Sequence, residues 1–141
     1  MAKDLRESNR RLFEAFDMGK IEILEELVSP DIVDHAAPPG MPAGFEGVKL
    51  FAQMMQNALT GQRRELLDVI VDGDVVVTRA RLTAKHTGDL FGIPATGKDI
   101  SIENVHIFRY RNGKAVEHWG LMDQMGLMGQ LGIAPPAPPT S

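Results

Sequence analysis

Four histidines and one well-placed aspartate carry most of the chemistry this sequence offers. Asp123 follows Leu121-Met122 and precedes Met125, Leu127 and Met128. These neighbours predict apolar surroundings for its carboxyl, and desolvation raises a carboxylic acid's pKa from about 4 towards neutrality, where it can both take and give a proton. Aspartate is equally suited to N-cap the helix that follows, and the two roles can coexist. His106 sits in mid-strand, either as a catalytic group in a pocket or as a core histidine with its hydrogen bonds satisfied. Its offset of four residues from Asp123 in the hairpin amounts to roughly 13 Å at about 3.3 Å per residue. The two therefore approach a ligand from different sides. His35 on a Pro/Gly loop and His86 at a strand end are ligand-binding candidates or plain surface histidines, and His118 reads as structural or interfacial.

Other chemistries lack their residues. There is no cysteine, which removes disulfides, thiolate metal sites and thiol nucleophiles. His35, His86 and His106 lack the short spacing of a metal set, so no metal is expected. The glycines from Gly88 to Gly97 have neither P-loop nor dinucleotide spacing, and no serine stands in a nucleophile elbow. No cofactor is expected.

These groups must be positioned by helices and hairpins. Leu5, Leu12, Phe13 and Phe16 mark a helix that Gly19 ends, and Ile21, Leu24, Leu27 and Val28 mark a short second one before Pro30. The segment from Asp34 to Pro42 reads as a loop. Val48, Phe51, Ala52, Met55 and Leu59 form an amphipathic third helix. After Gly61 the period becomes two, with strands over 64–71 and 74–86 joined at Asp72-Gly73, and over 100–111 and 114–123 joined at Asn112-Gly113. A short helix over 124–131 follows. Helices followed by two long hairpins define an α+β fold, with helices packed on one face of a curved antiparallel sheet. One domain is expected over 1–132, and a Pro-rich extended or disordered tail over 133–141.

Turn positions set the register, and register decides which side chains share a face. A two-residue loop at Asn112-Gly113 pairs Arg111 with Lys114, so that Ile102, Asn104, His106 and Phe108 share a face with Glu117, Trp119, Leu121 and Asp123. Val105, Ile107, Arg109, Val116, His118 and Met122 fall on the other. At the first hairpin, Leu67, Val69 and Val71 join Val76, Ala80, Leu82, Ala84 and His86. An apolar wall carrying a few convergent polar groups describes a small-molecule pocket. Asn104, Trp119, His86 and His35 are its expected ligand-binding residues, with Phe16, Phe51 and Met55 contributed by the helices.

Composition narrows the partners. A net charge of −4 opposes a general affinity for nucleic acid; Arg63-Arg64 and Arg109, Arg111 and Lys114 read as solvated clusters. No apolar run approaches the roughly 20 residues of a membrane span, and charges fill the N-terminus where a signal peptide needs an apolar core. A cytoplasmic protein is expected.

Helices followed by four antiparallel strands resemble the nuclear transport factor 2-like superfamily, a cone closed by helices around a cavity. Within it, the stretch from Gly92 to Lys98 resembles the GIPxTG-type loop of the SnoaL-like polyketide cyclases, also called ester cyclases. The stretches His86 to Gly92, Val105 to Arg109, Gly113-Lys114, Glu117-His118-Trp119 and Asp123 to Gly132 match as well. The resemblance implies a cofactor-independent intramolecular aldol closure of a polyketide methyl ester. It implies Asp123 as general acid/base, His106 as its helper, His35 as an early pocket histidine, and a homodimer paired through the outer face of the sheet. The same superfamily also houses isomerases, hydrolases and non-catalytic binding or scaffold modules.

Overall fold

A computed structural model describes residues 4–133 of the chain. Helix α1 (Leu5–Asp17) begins where the Asp4 carboxylate accepts the N–H groups of Arg6 and Glu7, satisfying two of the donors that a helix start leaves free. Helix α2 (Ile21–Leu27) follows and runs straight into strand β1 (Val28–Asp34). Helix α3 (Phe45–Ala58) leads into β2 (Leu59–Asp72), then β3 (Val75–His86), β4 (Asp99–Arg111), β5 (Lys114–Met122) and helix α4 (Gln124–Gln130). The strands lie in the order β1-β5-β4-β3-β2. Successive hairpin strands are antiparallel, and β1 runs parallel to β5. The sheet is therefore mixed and five-stranded, where four antiparallel strands were expected.

The unexpected β1 contains Pro30. Proline cannot donate to a ladder, but an edge strand tolerates it because one side of the strand has no partner. Val28 and Ile32 are buried from this strand, which ties the chain between α2 and α3 to the sheet. The tail expected over 133–141 lies outside the described residues beyond Ile133.

Shifts of register in the ladders bend the sheet and reset its faces. Asn112 and Gly113 both take positive φ (52° and 78°), as a two-residue loop requires, and Arg111 pairs with Lys114. The ladder then skips one residue: Tyr110 pairs with Ala115, but Arg109 pairs with Glu117. Val116 is the extra residue. Beyond it every β5 side chain is on the face opposite to the expected one, so His106 lies across from Gly120 and Phe108 from His118. The first hairpin turns at Gly73-Asp74, one residue later than expected, with Asp72 paired to Val75. Pairing then shifts between Leu66 and Asp68; in consequence Leu66 and Arg64, not Leu67, share the inner face with Ala80 and Leu82.

Two apolar clusters line this inner face. One gathers Leu12, Phe13, Leu24, Val28, Ala52, Val76 and Phe108 around α1 and α2. The other gathers Met55, Leu59, Leu82, Ile100, Ile102 and Leu127 around α3 and α4. Phe16 packs against both.

Candidate active site

Between the clusters the helices stand away from the sheet and leave a cavity of about 380 Å³, within the range of small-molecule sites. Its walls include Phe13, Phe16, Phe51, Met55 and Phe108, and its exposed lining residues Leu121, Phe91 and Gln124 mark the mouth. Five polar side chains break the apolar surface from the sheet side: Asp34, Arg64, Asn104, His106 and His118.

These five are linked. Asp34 Oδ1 lies 2.7 Å from His118 Nδ1 and also accepts the Ala36 N–H at 2.9 Å. His118 Nε2 lies 2.9 Å from His106 Nδ1. On the far side of that ring, Arg64 Nη1 approaches His106 Nε2 at 3.4 Å and donates to Asn104 Oδ1 at 3.2 Å. Arg64 is in turn held by Asp17, from α1, through two bonds of 2.9 Å. The guanidinium also sits 5.1 Å from the centre of the Phe13 ring, a cation–π contact. Asp17 and Arg64 are nearly sealed from water, with side-chain exposures of 7% and 6%.

The electrostatics follow from this order. Burial, then the nearby Arg64 cation and His118, hold the His106 pKa well below the ordinary histidine value. Its ring is therefore neutral at pH 7, with one of its two nitrogens unprotonated. Burial pushes the Asp34 carboxyl up, but the hydrogen bonds of His118 and of the Ala36 N–H, with His118 and His35 close by, outweigh it and leave the pKa lowered.

Several expected site residues are placed otherwise. Trp119 was expected inside; the Val116 bulge turns it to the outer face, where it stacks on His35 with ring centres 4.8 Å apart. His35 bonds the Glu117 carboxylate at 2.8 Å and does not line the cavity, although Asp34 and Ala36 on either side of it do. His86 is fully buried on the inner face, as expected, but its Nδ1 lies 2.9 Å from the Thr96 hydroxyl and it is not part of the lining. Asp123 was expected in apolar surroundings; it is exposed, and its carboxylate accepts the Gly126 N–H as the N-cap of α4. It does not line the cavity, although Met122 and Gln124 on either side of it do. Phe16, Phe51, Met55, Asn104 and His106 line the cavity as expected.

Sequence reasoning missed Asp17, Arg64 and the inward turn of His118. The first left a signal: Asn9, Phe13 and Asp17 follow one another at i, i+4 and i+8, which puts a carboxylate on the apolar stripe of α1. Among the described residues, no group of three or more histidine, aspartate or glutamate side chains is placed to hold a metal ion.

A curved, unclosed mixed sheet with helices over an apolar cavity defines the α+β class of the fold. The sequence pattern of the SnoaL-like polyketide cyclases matches residues 6–131, and the chain belongs to that family. It is 30% identical over 135 residues to the aklanonic acid methyl ester cyclase DauD of Streptomyces sp. (strain C5), covering 92% of this chain and 82% of that one. It is 31% identical over 123 residues to the nogalonic acid methyl ester cyclase of Streptomyces nogalater, covering 84% and 90%. Among solved structures it is similar to TsrD from Streptomyces laurentii, with a TM-score of 0.87, 25% identity, and coverage of 95% and 100%. It is also similar to IdmH, a putative polyketide cyclase from Streptomyces antibioticus, with a TM-score of 0.81, 31% identity, and coverage of 93% and 100%.

Proposed function

We propose that the chain is a cyclase that closes a ring within a polyketide-like ester by general acid/base chemistry in this cavity, with His106 as the base. The observation that carries the reading is a neutral imidazole, backed by hydrogen-bonded partners, lining an apolar cavity of about 380 Å³. When bound substrate takes over the Arg64 Nη1–H that meets His106 Nε2 at 3.4 Å, Nε2 takes a proton from an activated carbon, and the electron pair of that C–H bond becomes an enolate. The enolate carbon bonds to a ketone carbon of the same chain, whose π pair moves onto oxygen. His106 then returns the proton to that alkoxide, and the product has the mass of the substrate. Folding the chain within the apolar walls supplies the proximity. Arg64 supplies charge: of its five N–H groups, four meet Asp17, Asn104 and His106, and one on Nη2 has no partner among the described residues. That donor is available to a developing oxyanion.

A second reading makes Asp123 the acid/base. It is favoured by the place of this residue in the chain between Met122 and Gln124, which line the cavity. The experiment that separates them presents methyl esters of polyketide acids and follows formation of an isomer of unchanged mass. Loss of turnover in His106→Phe with activity kept in Asp123→Asn supports His106; the reverse supports Asp123. Binding without turnover by the wild type leaves a ligand-binding module.

The same reading pairs two copies through the outer face, where Val105 is exposed and the Val116 bulge sets Trp119. Sedimentation of Val105→Asp as monomer against a dimeric wild type supports this pairing; a monomeric wild type refutes it.

A further inference from the structure

The chain from Arg64 to Asp34 has ends of opposite character. Arg64 is only a donor, and the ionised Asp34 carboxylate only an acceptor. Between them lie two imidazoles, each with one proton to place when neutral. The Asp34 end requires the His118 proton on Nδ1, 2.7 Å away, which leaves His118 Nε2 to accept. The Arg64 end requires His106 Nε2 to accept, which puts the His106 proton on Nδ1, 2.9 Å from His118 Nε2. Both ends dictate the same arrangement.

A glycine beneath the rings is the independent sign that this contact is built in. Gly120 faces inward opposite His106. A Cβ there would lie 3.2 Å from both His106 Nδ1 and His118 Nε2, closer than a methyl group comfortably packs. Gly120 thus leaves room for the two nitrogens to meet.

We propose that Asp34 and His118 are positioning residues that fix the neutral His106 ring with its proton on Nδ1 and an unprotonated Nε2 turned to Arg64. The use of this device rests on the ring-closure reading above; the tautomer itself does not. The arrangement also carries charge away from Arg64. When His106 Nε2 takes a proton, its Nδ1 proton can pass to His118 Nε2, leaving an imidazolium against the Asp34 carboxylate instead of beside the Arg64 guanidinium. Delivery of the proton to the alkoxide reverses both shifts, with no atom gained or lost. The charged groups facing the pair are Arg64 from β2, itself bound to Asp17 of α1, and Asp34 from β1.

The test uses full-length protein labelled with ¹⁵N in its histidine rings, without substrate. Long-range ¹H–¹⁵N spectra, assigned by single histidine substitutions, report which nitrogen carries the proton. The expected result is protonated Nδ1 and bare Nε2 for both His106 and His118. A proton on His106 Nε2 overturns the proposal. Gly120→Ala and His118→Phe, checked for folding by circular dichroism, are expected to convert His106 to a mixture of tautomers. An unchanged tautomer in both variants also overturns it. With an ester that the wild type cyclises, both variants are expected to lose kcat on the order of 100-fold with little change in KM; unchanged kcat overturns the positioning role. A wild type with the expected tautomer that cyclises no ester refutes the ring-closure reading and leaves the tautomer assignment standing.

Discussion

Removing the Asp17 carboxylate should cost the fold far more than removing any surface ion pair. In Asp17→Ala the Arg64 guanidinium, 6% exposed, loses both of its 2.9 Å bonds to carboxylate oxygen. It keeps Asn104 Oδ1 and the Phe13 ring, neither of which neutralises its charge. Breaking a buried pair from one side costs about 3–5 kcal/mol, and the retained contacts place this case near the lower end, about 3 kcal/mol. For a domain between the two usual size classes, that corresponds to a fall in Tm of about 12 °C. Arg79 provides the control: it pairs with Asp68 and Glu103 but is 45% exposed, and Arg79→Ala should cost less than about 1 kcal/mol. The double variant Asp17→Leu with Arg64→Met, which removes both charges and fills the space, should recover most of the loss. Urea unfolding followed by Trp119 fluorescence and circular dichroism gives the comparison, provided the m-value is unchanged. A loss in Asp17→Ala no larger than in Arg79→Ala would refute the reasoning, as would a double variant less stable than the single one.

Three further expectations concern other parts of the fold. The Tyr110 hydroxyl donates to Asn9 Oδ1 at 3.0 Å, and Asn9 Nδ2 donates to Thr78 Oγ1 at 2.7 Å, all buried; Tyr110→Phe orphans the amide oxygen and should cost about 1–3 kcal/mol in urea unfolding. The lowered pKa of His106 makes the unfolded chain the better proton acceptor below about pH 6.5. Stability should therefore fall as pH drops from about 6.5 towards the folded-state pKa, and His106→Phe should remove that part of the pH dependence; an unchanged slope would contradict the neutral-ring assignment. Finally, Phe51→Ala should raise KM for a cyclised ester several-fold because Phe51 lines the cavity. Trp119→Ala, on the outer face, should leave KM unchanged, and the opposite pattern in steady-state kinetics would contradict the observed register.

The parts of the structure governed by local periodicity were legible in the sequence. The 3.6-residue stripe of Val48, Phe51, Ala52 and Met55 gave α3, and Asn112-Gly113 placed the second hairpin at its observed turn. The capping role of Asp123 was also legible, because an aspartate ahead of Gln124–Gln130 is a common way to begin a helix. What was not legible depends on single residues whose effect propagates. Val116 has no compositional feature that marks it as a bulge, yet it exchanges His118 and Trp119 between the faces. The shift between Leu66 and Asp68 similarly turns Arg64 inward beside an exposed Arg63, and adjacent arginines look alike in sequence. Strand β1 was obscured by Pro30, whose cost disappears only because the strand is at an edge. The cavity was thus readable as apolar, with Phe16, Phe51 and Met55 in its wall, while the Asp34–His118–His106 chain depended on tertiary register.

The most direct test of the central claim is turnover of a polyketide methyl ester by wild type, His106→Phe and Asp123→Asn, with substrate and product separated and weighed by mass spectrometry. The account predicts an isomeric product of unchanged mass from the wild type and from Asp123→Asn, and a loss on the order of 100-fold or more in His106→Phe. Full activity in His106→Phe would contradict it.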